Sequence, residues 1–354
     1  MADGLFSPLQ LRGIKLKNRI AVSPMCQYSS VDGGATEWHF VHLGSRAVGG
    51  AALVMAEASA VEADGRISPQ DLGIYHDDHI APLSVITRFI RESGAVPGMQ
   101  IAHAGRKAAS DIPWLGGKPL TDATSWRPVA PSPVAFSPDH QVPVELAKDE
   151  IRRIVSLFRA AASRALAAGF ELLEIHSAHG YLLHEFLSPL SNQRSDEYGG
   201  SLSNRTRIVR EVVTAVREVW PERSPLFIRI SASDWMEGGW TVEESVELAR
   251  MLQPLGVDLV DCSSGGTSLT AQIPFGPGYQ VPFSEQIRRD ADIPTGAVGM
   301  ITDPHQADAI IRNGQADLVL LAREFLRDPY WPYHAAKALG VKPDVPPQYR
   351  RAFF

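Results

Sequence analysis

The chain has 354 residues, of which 44% are hydrophobic and 21% are charged, the composition of an ordinary globular protein. Its formal net charge of -6 gives no basic surface for nucleic acid, and no apolar run approaches the roughly 20 residues that span a bilayer. Residues 1–6 lack the blocks of a signal peptide, and two cysteines, Cys26 and Cys262, cannot form a disulfide framework or hold an iron–sulfur cluster alone. We therefore expect a cytoplasmic protein without nucleic-acid or membrane partners.

Short apolar runs alternate with longer amphipathic ones along the chain. The predicted strands are Arg19–Ser23, Ala51–Glu57, Val96–His103, Glu171–His176, Leu226–Ser231, Leu259–Ser263, Thr295–Gly299 and Leu318–Ala322. The predicted helices lie near Glu37–Val48, His79–Glu92, Lys148–Ala168, Ser203–Trp220, Val242–Leu255, Pro282–Asp290, Pro304–Arg312 and Tyr330–Leu339. This alternation predicts an α/β protein, a single-domain (β/α)8 TIM barrel over residues 1–354. We disfavour the alternative, an open doubly wound sheet, because no G-x-G-x-x-G turn follows the first strand.

Two segments interrupt the alternation. The connection over residues 108–147 is rich in Pro, Trp and Ser, and loops of this length in a compact domain are usually lids or binding loops. A surface excursion without function is the alternative. The tail over residues 342–354 has no helical period, and we expect it to cover the barrel mouth or to dock on a neighbouring subunit.

The first three strands end in groups that suit a planar polar ligand. Cys26 and Tyr28 follow the first strand; a lone cysteine is more often a small buried hydrophobe, but this position past a strand end favours a functional role. Ala58 follows the second strand, where a small side chain lets the backbone approach a ligand. The Gln100 amide on the third strand suits the pyrimidine edge of a flavin or nucleobase. Backbone partners alone are the alternative for Gln100.

The fourth strand ends in Glu174-Ile175-His176-Ser177-Ala178-His179-Gly180-Tyr181. Two imidazoles and a phenol thus lie within six positions, directly after an apolar run whose end lines the active site in a parallel barrel. These groups can hydrogen-bond a carbonyl oxygen and supply a proton beside it. The pattern makes His176, His179 and Tyr181 the candidate catalytic residues.

The fifth strand carries Arg229 inside an otherwise apolar run. A buried guanidinium keeps its charge and must face an anion or a strong acceptor. Two interpretations stay open: a structural salt bridge to an inward carboxylate such as Glu174, and a contact with a cofactor that becomes anionic during turnover.

The last two strands end in small residues and an arginine. Val298 and Gly299 follow the seventh strand, and Ala322 and Arg323 follow the eighth. In barrels of this kind these two connections often form a phosphate site, which backbone N–H groups and an arginine suit.

A series of ordered motifs makes the chain resemble the Old Yellow Enzyme family of FMN-dependent ene reductases, in particular its thermophilic-like bacterial subclass with xenobiotic reductase A relatives. The motifs are Leu16-Lys17-Asn18-Arg19-Ile20, Ser23-Pro24-Met25-Cys26, Gln100-Ile101-Ala102-His103-Ala104-Gly105-Arg106-Lys107, His176-Ser177-Ala178-His179-Gly180-Tyr181, Phe186-Leu187-Ser188-Pro189-Leu190-Ser191-Asn192, Arg194-Ser195-Asp196-Glu197-Tyr198-Gly199-Gly200-Ser201 and Arg327-Asp328-Pro329. They extend over nearly the whole chain.

The resemblance implies a tightly bound, non-covalent FMN. The backbone segments expected along its ring are those of Ser23, Pro24, Met25, Cys26 and Ala58. Cys26 would tune the flavin near N5 and O4, and Gln100 would bond its pyrimidine ring. Arg229 would lie near N1 and O2, where negative charge develops on reduction. Relatives often have glycine where this chain has Ala322, so phosphate binding survives there unless the position needs a positive φ.

The resemblance also implies the chemistry. Hydride would pass from NADPH or NADH to the flavin and then from flavin N5 to an α,β-unsaturated carbonyl compound, in ping-pong order. His176 and His179 would hold the carbonyl, and Tyr181 would protonate the α-carbon. Tyr28 and Lys107 would border the substrate. Arg351 matches an arginine that this subclass inserts into a neighbouring subunit's site, which implies a homodimer or homotetramer.

Two other functions compete with this hypothesis. A metal-dependent barrel hydrolase would use His176 and His179 as ligands. It would need further ligands at other strand ends, for which His103 and Asp261 are the only candidates. A non-catalytic flavin-binding barrel would have no use for a proton donor at Tyr181. We therefore favour the reductase.

Overall fold

A closed barrel of parallel strands forms the centre of the molecule. We describe it from a computed structural model over residues 4–122 and 124–353. Within these ranges eight strands, β1 to β8, close the barrel in chain order. They are Ile20–Val22, Leu53–Ala60, Val96–Ala102, Leu172–Ser177, Leu226–Ser231, Leu259–Ser263, Thr295–Ala297 and Leu318–Leu321. Pairing of β8 with β1, with Leu321 opposite Val22, completes the closure. The predicted (β/α)8 fold is confirmed, and the doubly wound sheet is wrong.

Helices return the chain from the end of one strand to the start of the next. Over the described residues they are Glu37–Val48, Ile80–Glu92, Lys148–Ala167, Leu182–Leu187, Leu202–Arg205, Arg207–Arg217, Val242–Leu252, Val281–Ala291, Pro304–Arg312, Arg323–Arg327, Trp331–Ala338 and Arg350–Phe353. The start of Val242–Leu252 illustrates how the sequence sets these bounds. Thr241 Oγ1 accepts from Glu244 N, and the Glu244 carboxylate accepts from Thr241 N, which forms a capping box.

The amino-terminal end of the barrel is filled with apolar side chains. A hairpin of Leu9–Leu11 with Ile14–Leu16, which the sequence analysis did not predict, packs Leu11 and Leu16 against barrel residues such as Phe227. Arg12 at its turn pairs with Asp258, just before β6. Because the hairpin closes this end, ligands have access from the carboxyl-terminal end, as in other barrels of this type.

The two segments outside the alternation of strands and helices contain short secondary-structure elements. The 108–147 connection contains a short pair of strands, Val129–Ala130 and Val144–Glu145, while Ala123 lies outside the described residues. The tail ends in a turn of 3-10 helix, Pro347–Tyr349, and the short helix Arg350–Phe353; the absence of a helical period in the sequence was therefore misleading. No helix among the described residues is long and apolar enough to cross a membrane.

Candidate active site

A cavity of about 370 Å³ opens at the carboxyl-terminal end of the barrel. Its walls come from the ends of β1, β5, β6, β7 and β8 and from the loop after β4. The predicted site residues that line it are Ser23, Pro24, His179, Arg229, Val298, Gly299, Ala322 and Arg323. Strand ends far apart in the sequence thus meet around one cavity, as predicted.

Arg229 is the buried cation of this cavity. Its Nε donates to Asp261 Oδ2 at 2.6 Å, and its Nη2 donates to Ser23 Oγ at 2.7 Å. Glu174 Oε1 lies farther away, 3.9 Å from Nε. The structure therefore confirms a structural salt bridge, mainly to Asp261 and more distantly to Glu174. Arg229 also lines the cavity, and its contact with a cofactor remains a prediction.

Gln100 lies buried on β3 next to this charged group. Its Nε2 donates to Glu174 Oε1 at 2.7 Å, so one donor of the amide serves the protein itself. The backbone of Gln100 is opposite that of Glu174 in the barrel. The expectation that Gln100 contacts a cofactor ring remains a prediction.

The end of β4 and the turn that follows it bring the two imidazoles and the phenol together. The ring centroid of His176 is 5.1 Å from that of His179 and 5.1 Å from that of Tyr181. Burial lowers the pKa of both histidines well below the usual value and raises the pKa of Tyr181 well above it. At neutral pH the cluster consists of two neutral imidazoles and a protonated phenol, each able to donate one hydrogen bond.

The turn that carries His179 is held from several sides. His179 has a φ of 61°, a costly backbone conformation for a residue other than glycine. Its N–H donates to Ser231 Oγ at 2.9 Å, and its Nε2 lies 2.7 Å from Ser263 Oγ. The next amide, of Gly180, donates to His184 Nδ1 at 2.8 Å, and His184 Nε2 lies 3.1 Å from Asp234 Oδ1.

Gly266, in the loop after β6, packs against the same turn. A Cβ at Gly266 would lie 2.5 Å from His179 Cα, closer than any side chain permits. Its φ of 94° is also one that glycine adopts readily. Glycine at this position therefore allows the two loops to touch.

Lys107 connects the turn to the long connection. Its Nζ donates to the carbonyl oxygens of His179 and Gly266 at 2.8 and 3.1 Å. The ammonium also lies 4.5 Å from the ring centroid of Phe136 and 5.1 Å from that of Tyr181. Burial lowers the pKa of Lys107 to about 8. Phe136 belongs to the 108–147 connection, so that segment borders the candidate site.

A second contact of the connection involves Tyr28. The ring of Trp114 meets the Tyr28 ring edge-to-face at 5.8 Å. Burial, and next the neighbouring Cys26, raise the pKa of the Tyr28 phenol above its usual value. Burial, with the carboxylates of Asp71 and Glu57, raises the pKa of the Cys26 thiol well above its usual value. Cys26 is therefore a neutral thiol at neutral pH, half-buried beside the site.

The loops after β7 and β8 form the far end of the cavity. Val298 O accepts from Gln280 Nε2 at 2.8 Å, and a Cβ on Gly299 would lie 2.8 Å from the same nitrogen. Ala322 has a φ of -107° and precedes the short helix Arg323–Arg327. The position does not need a positive φ, so alanine is tolerated there.

Sequence reasoning missed several residues around the cavity. Ser263 and Gln280 line it, and Ser264 Oγ donates to Gln280 Oε1 at 2.6 Å. The signal that was available is Ser263-Ser264-Gly265-Gly266, a polar and small sequence directly after β6. Conversely, Arg351 lies exposed in the terminal helix and outside the cavity lining of its own chain.

The metal-dependent alternative receives no support. Over residues 4–122 and 124–353, no group of three or more His, Cys, Asp and Glu side chains is placed to hold a metal ion. His103 Nε2 lies 2.9 Å from Glu62 Oε1, and its Nδ1 accepts from Gly105 N. Asp261 is the counter-ion of Arg229. Both candidate further ligands, His103 and Asp261, therefore have other partners.

At the carboxyl-terminal end of this closed α/β barrel, a buried guanidinium, loops of small residues and neutral proton donors lie around one cavity. These features define a cofactor-dependent enzyme for small molecules. The family model for the NADH:flavin oxidoreductase / NADH oxidase family matches residues 4–341. The chain belongs to this family.

Individual proteins agree with this assignment. The chain is 51% identical over 351 residues to the NADPH dehydrogenase of Geobacillus thermodenitrificans (strain NG80-2), over 99% of this chain and 98% of that protein. Morphinone reductase has a similar structure, with a TM-score of 0.81 at 27% identity over 98% of this chain and 93% of that one. The old yellow enzyme from Trypanosoma cruzi shares the fold, with a TM-score of 0.80 at 24% identity over 95% and 92% of the two chains. The expected Old Yellow Enzyme membership is confirmed.

Proposed function

We propose that this protein is an FMN-dependent NAD(P)H dehydrogenase that reduces the activated C=C bond of α,β-unsaturated carbonyl compounds. The observation that carries the proposal is the cluster in which the ring centroid of His176 lies 5.1 Å from those of His179 and Tyr181. Through His179 this cluster adjoins the cavity that Arg229 lines. Two hydrogen-bond donors for a carbonyl and one proton donor are the groups that this reaction requires.

The residues around the cavity fit FMN. Arg229 offers a fixed cation for the edge of the ring that becomes negative on reduction. Arg323 and the amides near Gly299, where a Cβ would collide with Gln280, suit the phosphate. The other residues proposed to contact FMN are Ser23, Pro24, Met25, Cys26, Ala58, Gln100, Val298 and Ala322. When bound, FMN supplies the hydride acceptor and donor of the reaction.

The two histidines would orient the substrate carbonyl. His176 Nδ1 is buried without a partner among the described residues, so the favoured neutral tautomer carries its proton on Nε2. We assign the proton of His179 to Nδ1, with Nε2 accepting from Ser263 Oγ 2.7 Å away, so that His179 donates to the same carbonyl oxygen. Two N–H groups on one oxygen polarise the conjugated alkene and make its β-carbon the hydride acceptor.

Tyr181 would complete the reaction. Burial raises its pKa, so the phenol keeps its proton until carbanionic charge develops on the substrate α-carbon. Lys107 holds the carbonyl of His179 and lies against the Tyr181 ring. We therefore propose Lys107 and Tyr28 as borders of the substrate site, with the 108–147 connection as its lid.

NADPH, or NADH, would occupy the same side of the cavity as the alkene, in alternation with it. The absence of a G-x-G-x-x-G turn from the sequence agrees with a donor that has no dinucleotide domain of its own. We also propose a homodimer or homotetramer in which Arg351 reaches a neighbouring site; its exposure on the tail is compatible with that use. Two free cysteines suit a cytoplasmic location.

Anaerobic stopped-flow absorbance tests the proposed function. The purified protein is first mixed with NADPH and then with 2-cyclohexen-1-one. We expect a flavin spectrum that bleaches and then returns to its oxidised form. Bleaching without return would contradict the alkene as acceptor, and a colourless protein that FMN cannot reconstitute would contradict the cofactor.

A further inference from the structure

Two buried carboxyl groups lie beside Arg229, one of the arginines that line the cavity. Glu174 on β4 and Asp261 on β6 are both fully buried. Asp261 Oδ2 is 2.6 Å from Arg229 Nε, while Glu174 Oε1 is 3.9 Å from it. Gln100 adds a neutral donor to Glu174 from β3.

The hydrogen bonds of Glu174 and Asp261 indicate that one of the two carboxyl groups keeps its proton. Glu174 Oε2 and Asp261 Oδ1 find no donor among the described side chains, although both atoms are buried, and both carboxyl groups lie next to the same guanidinium. An ionised carboxylate can only accept, whereas a carboxyl group that keeps its proton brings one O–H donor to such a site. If both carboxyl groups were ionised, Arg229, Glu174 and Asp261 would together carry one positive and two negative charges. In a buried site of low dielectric constant, water does not screen the repulsion between the two carboxylates.

We propose that Glu174 and Asp261 share one proton beneath the cavity, so that the layer formed by Arg229, Glu174 and Asp261 is electrically neutral. This neutrality sets how strongly the site favours a reduced, negatively charged cofactor. The second part of this proposal rests on the proposed FMN function. Glu174 and Asp261 are positioning residues in this account, since they act through the charge of Arg229.

The surroundings agree with a neutral layer at neutral pH. Burial and the charge of Asp261 raise the pKa of Glu174 to about 8, and burial raises the pKa of Asp261. The other titratable neighbours are neutral: burial lowers the pKa of His176 on β4 and raises the pKa of Cys262 beside Asp261. Above about pH 8 the layer becomes negative, which opposes further negative charge on the cofactor.

The charge states predict a non-additive response to two neutral substitutions. Glu174→Gln and Asp261→Asn each remove the shared proton together with one carboxyl, and the remaining carboxylate still neutralises Arg229. The double variant leaves the guanidinium unpaired. We measure the preference of each holoprotein for reduced over oxidised FMN through its midpoint potential at pH 6.5, where a tenfold change in preference is about 30 mV for a two-electron couple.

Each single variant should change the preference less than threefold, and the double variant should raise it at least tenfold. A tenfold rise in Glu174→Gln alone would show that Glu174 is ionised and would overturn the shared proton. Asp258→Asn is the control, because Asp258 pairs with Arg217 at the opposite end of the barrel and should leave the potential unchanged.

Infrared spectroscopy tests the proton independently of FMN chemistry. At pH 6.5 the wild type should show one carbonyl-stretch band of a buried protonated carboxyl that is absent from Glu174→Gln and from Asp261→Asn, in addition to the band of protonated Glu185, which all three proteins share. Persistence of the first band in both variants would overturn the proposal. If the protein failed to bind FMN, the proposed function would be wrong while this band would still decide whether the pair shares a proton.

Discussion

The amide of Gly180 donates to Nδ1 of His184 at 2.8 Å, and this bond ties the turn between His179 and Tyr181 to the helix that follows. The carboxylate of Asp234 lies 3.1 Å from the other nitrogen of His184, so the imidazole accepts through Nδ1 and donates through Nε2. A fully buried histidine thus fixes the direction of a strained turn, and the orientation of His179 and Tyr181 depends on it.

Replacement of His184 should therefore impair substrate binding more than cofactor reduction. His184→Leu removes the acceptor for Gly180, and we expect about a tenfold higher KM for 2-cyclohexen-1-one, since a buried N–H loses about 1–3 kcal/mol without its partner. His184→Asn retains an acceptor at the position of Nδ1 and should restore most of the KM. Steady-state kinetics with both variants make the comparison. Equal impairment in the two variants, together with slower reduction by NADPH, would indicate only a loss of stability.

Removal of His176 should weaken a carbonyl or phenolic ligand without releasing FMN. In His176→Ala one of the two donors to the ligand oxygen is lost, and oxyanion donors of this kind contribute roughly 10²- to 10³-fold to a rate. We expect a loss of this size in the reoxidation of reduced enzyme by 2-cyclohexen-1-one, and weaker titration of the oxidised enzyme with 4-hydroxybenzaldehyde. Unchanged reoxidation would contradict the role of His176, whereas His103→Ala, outside the cavity, serves as the control histidine.

Glu185 should make the protein less stable as the pH rises. Burial raises its pKa to about 8 from the ordinary 4.5, so between these values the native side chain keeps a proton that the unfolded chain releases. The unfolded state then binds fewer protons, and the free energy of unfolding falls with increasing pH. Glu185→Gln keeps an acceptor for Arg106 N and should flatten this dependence, with a gain on the order of 1–3 kcal/mol at pH 8.

Urea denaturation at pH 5, 6.5 and 8 measures the effect. Glu62→Gln is the control of opposite sign, because hydrogen bonds from His103 and Arg153 outweigh burial and lower the Glu62 pKa to about 2. The stabilisation of the native state by ionised Glu62 is complete above about pH 4.5 and is lost as the pH falls through about 2. That variant should therefore lose the same stability at all three pH values. A gain from Glu185→Gln that did not grow with pH would contradict the assignment.

Arg351 can be tested against its neighbour in the same helix. Arg350 and Arg351 are both exposed, but only Arg351 is proposed to enter another subunit's site. Arg351→Ala should raise the KM for the alkene about tenfold in an otherwise unchanged oligomer, and Arg350→Ala should not. Sedimentation of both variants provides the oligomeric state. Equal kinetics of the two variants would contradict the shared site.

The sequence predicted the barrel because its strands are apolar runs that the helices separate regularly. It joined Leu202–Arg205 and Arg207–Arg217 into one helix, since the break at Thr206 leaves the apolar period intact. It missed the hairpin before β1 because three-residue strands are too short to show alternation.

The candidate site was predicted where its residues follow one another in the chain. His176 ends β4 and His179 and Tyr181 follow in the turn directly after it, and the structure places their rings together. The predicted ion pair of Arg229 with Glu174 is present at 3.9 Å, but the nearer partner, Asp261, was not predicted. A sequence does not show which strands become neighbours, and Asp261 lies opposite Arg229 on the adjacent strand. Gln280 was missed for the same reason, since its contacts with Ser264 and Val298 connect three separate loops.

The central claim is that Tyr181 gives its proton to the alkene after hydride has been transferred. Single-turnover measurements of Tyr181→Phe separate the two halves of the reaction. We predict reduction by NADPH within about twofold of the wild type and reoxidation by 2-cyclohexen-1-one slower by roughly 10²- to 10⁴-fold, the usual contribution of a general acid. Equal slowing of both halves, or reoxidation at the wild-type rate, would contradict the account.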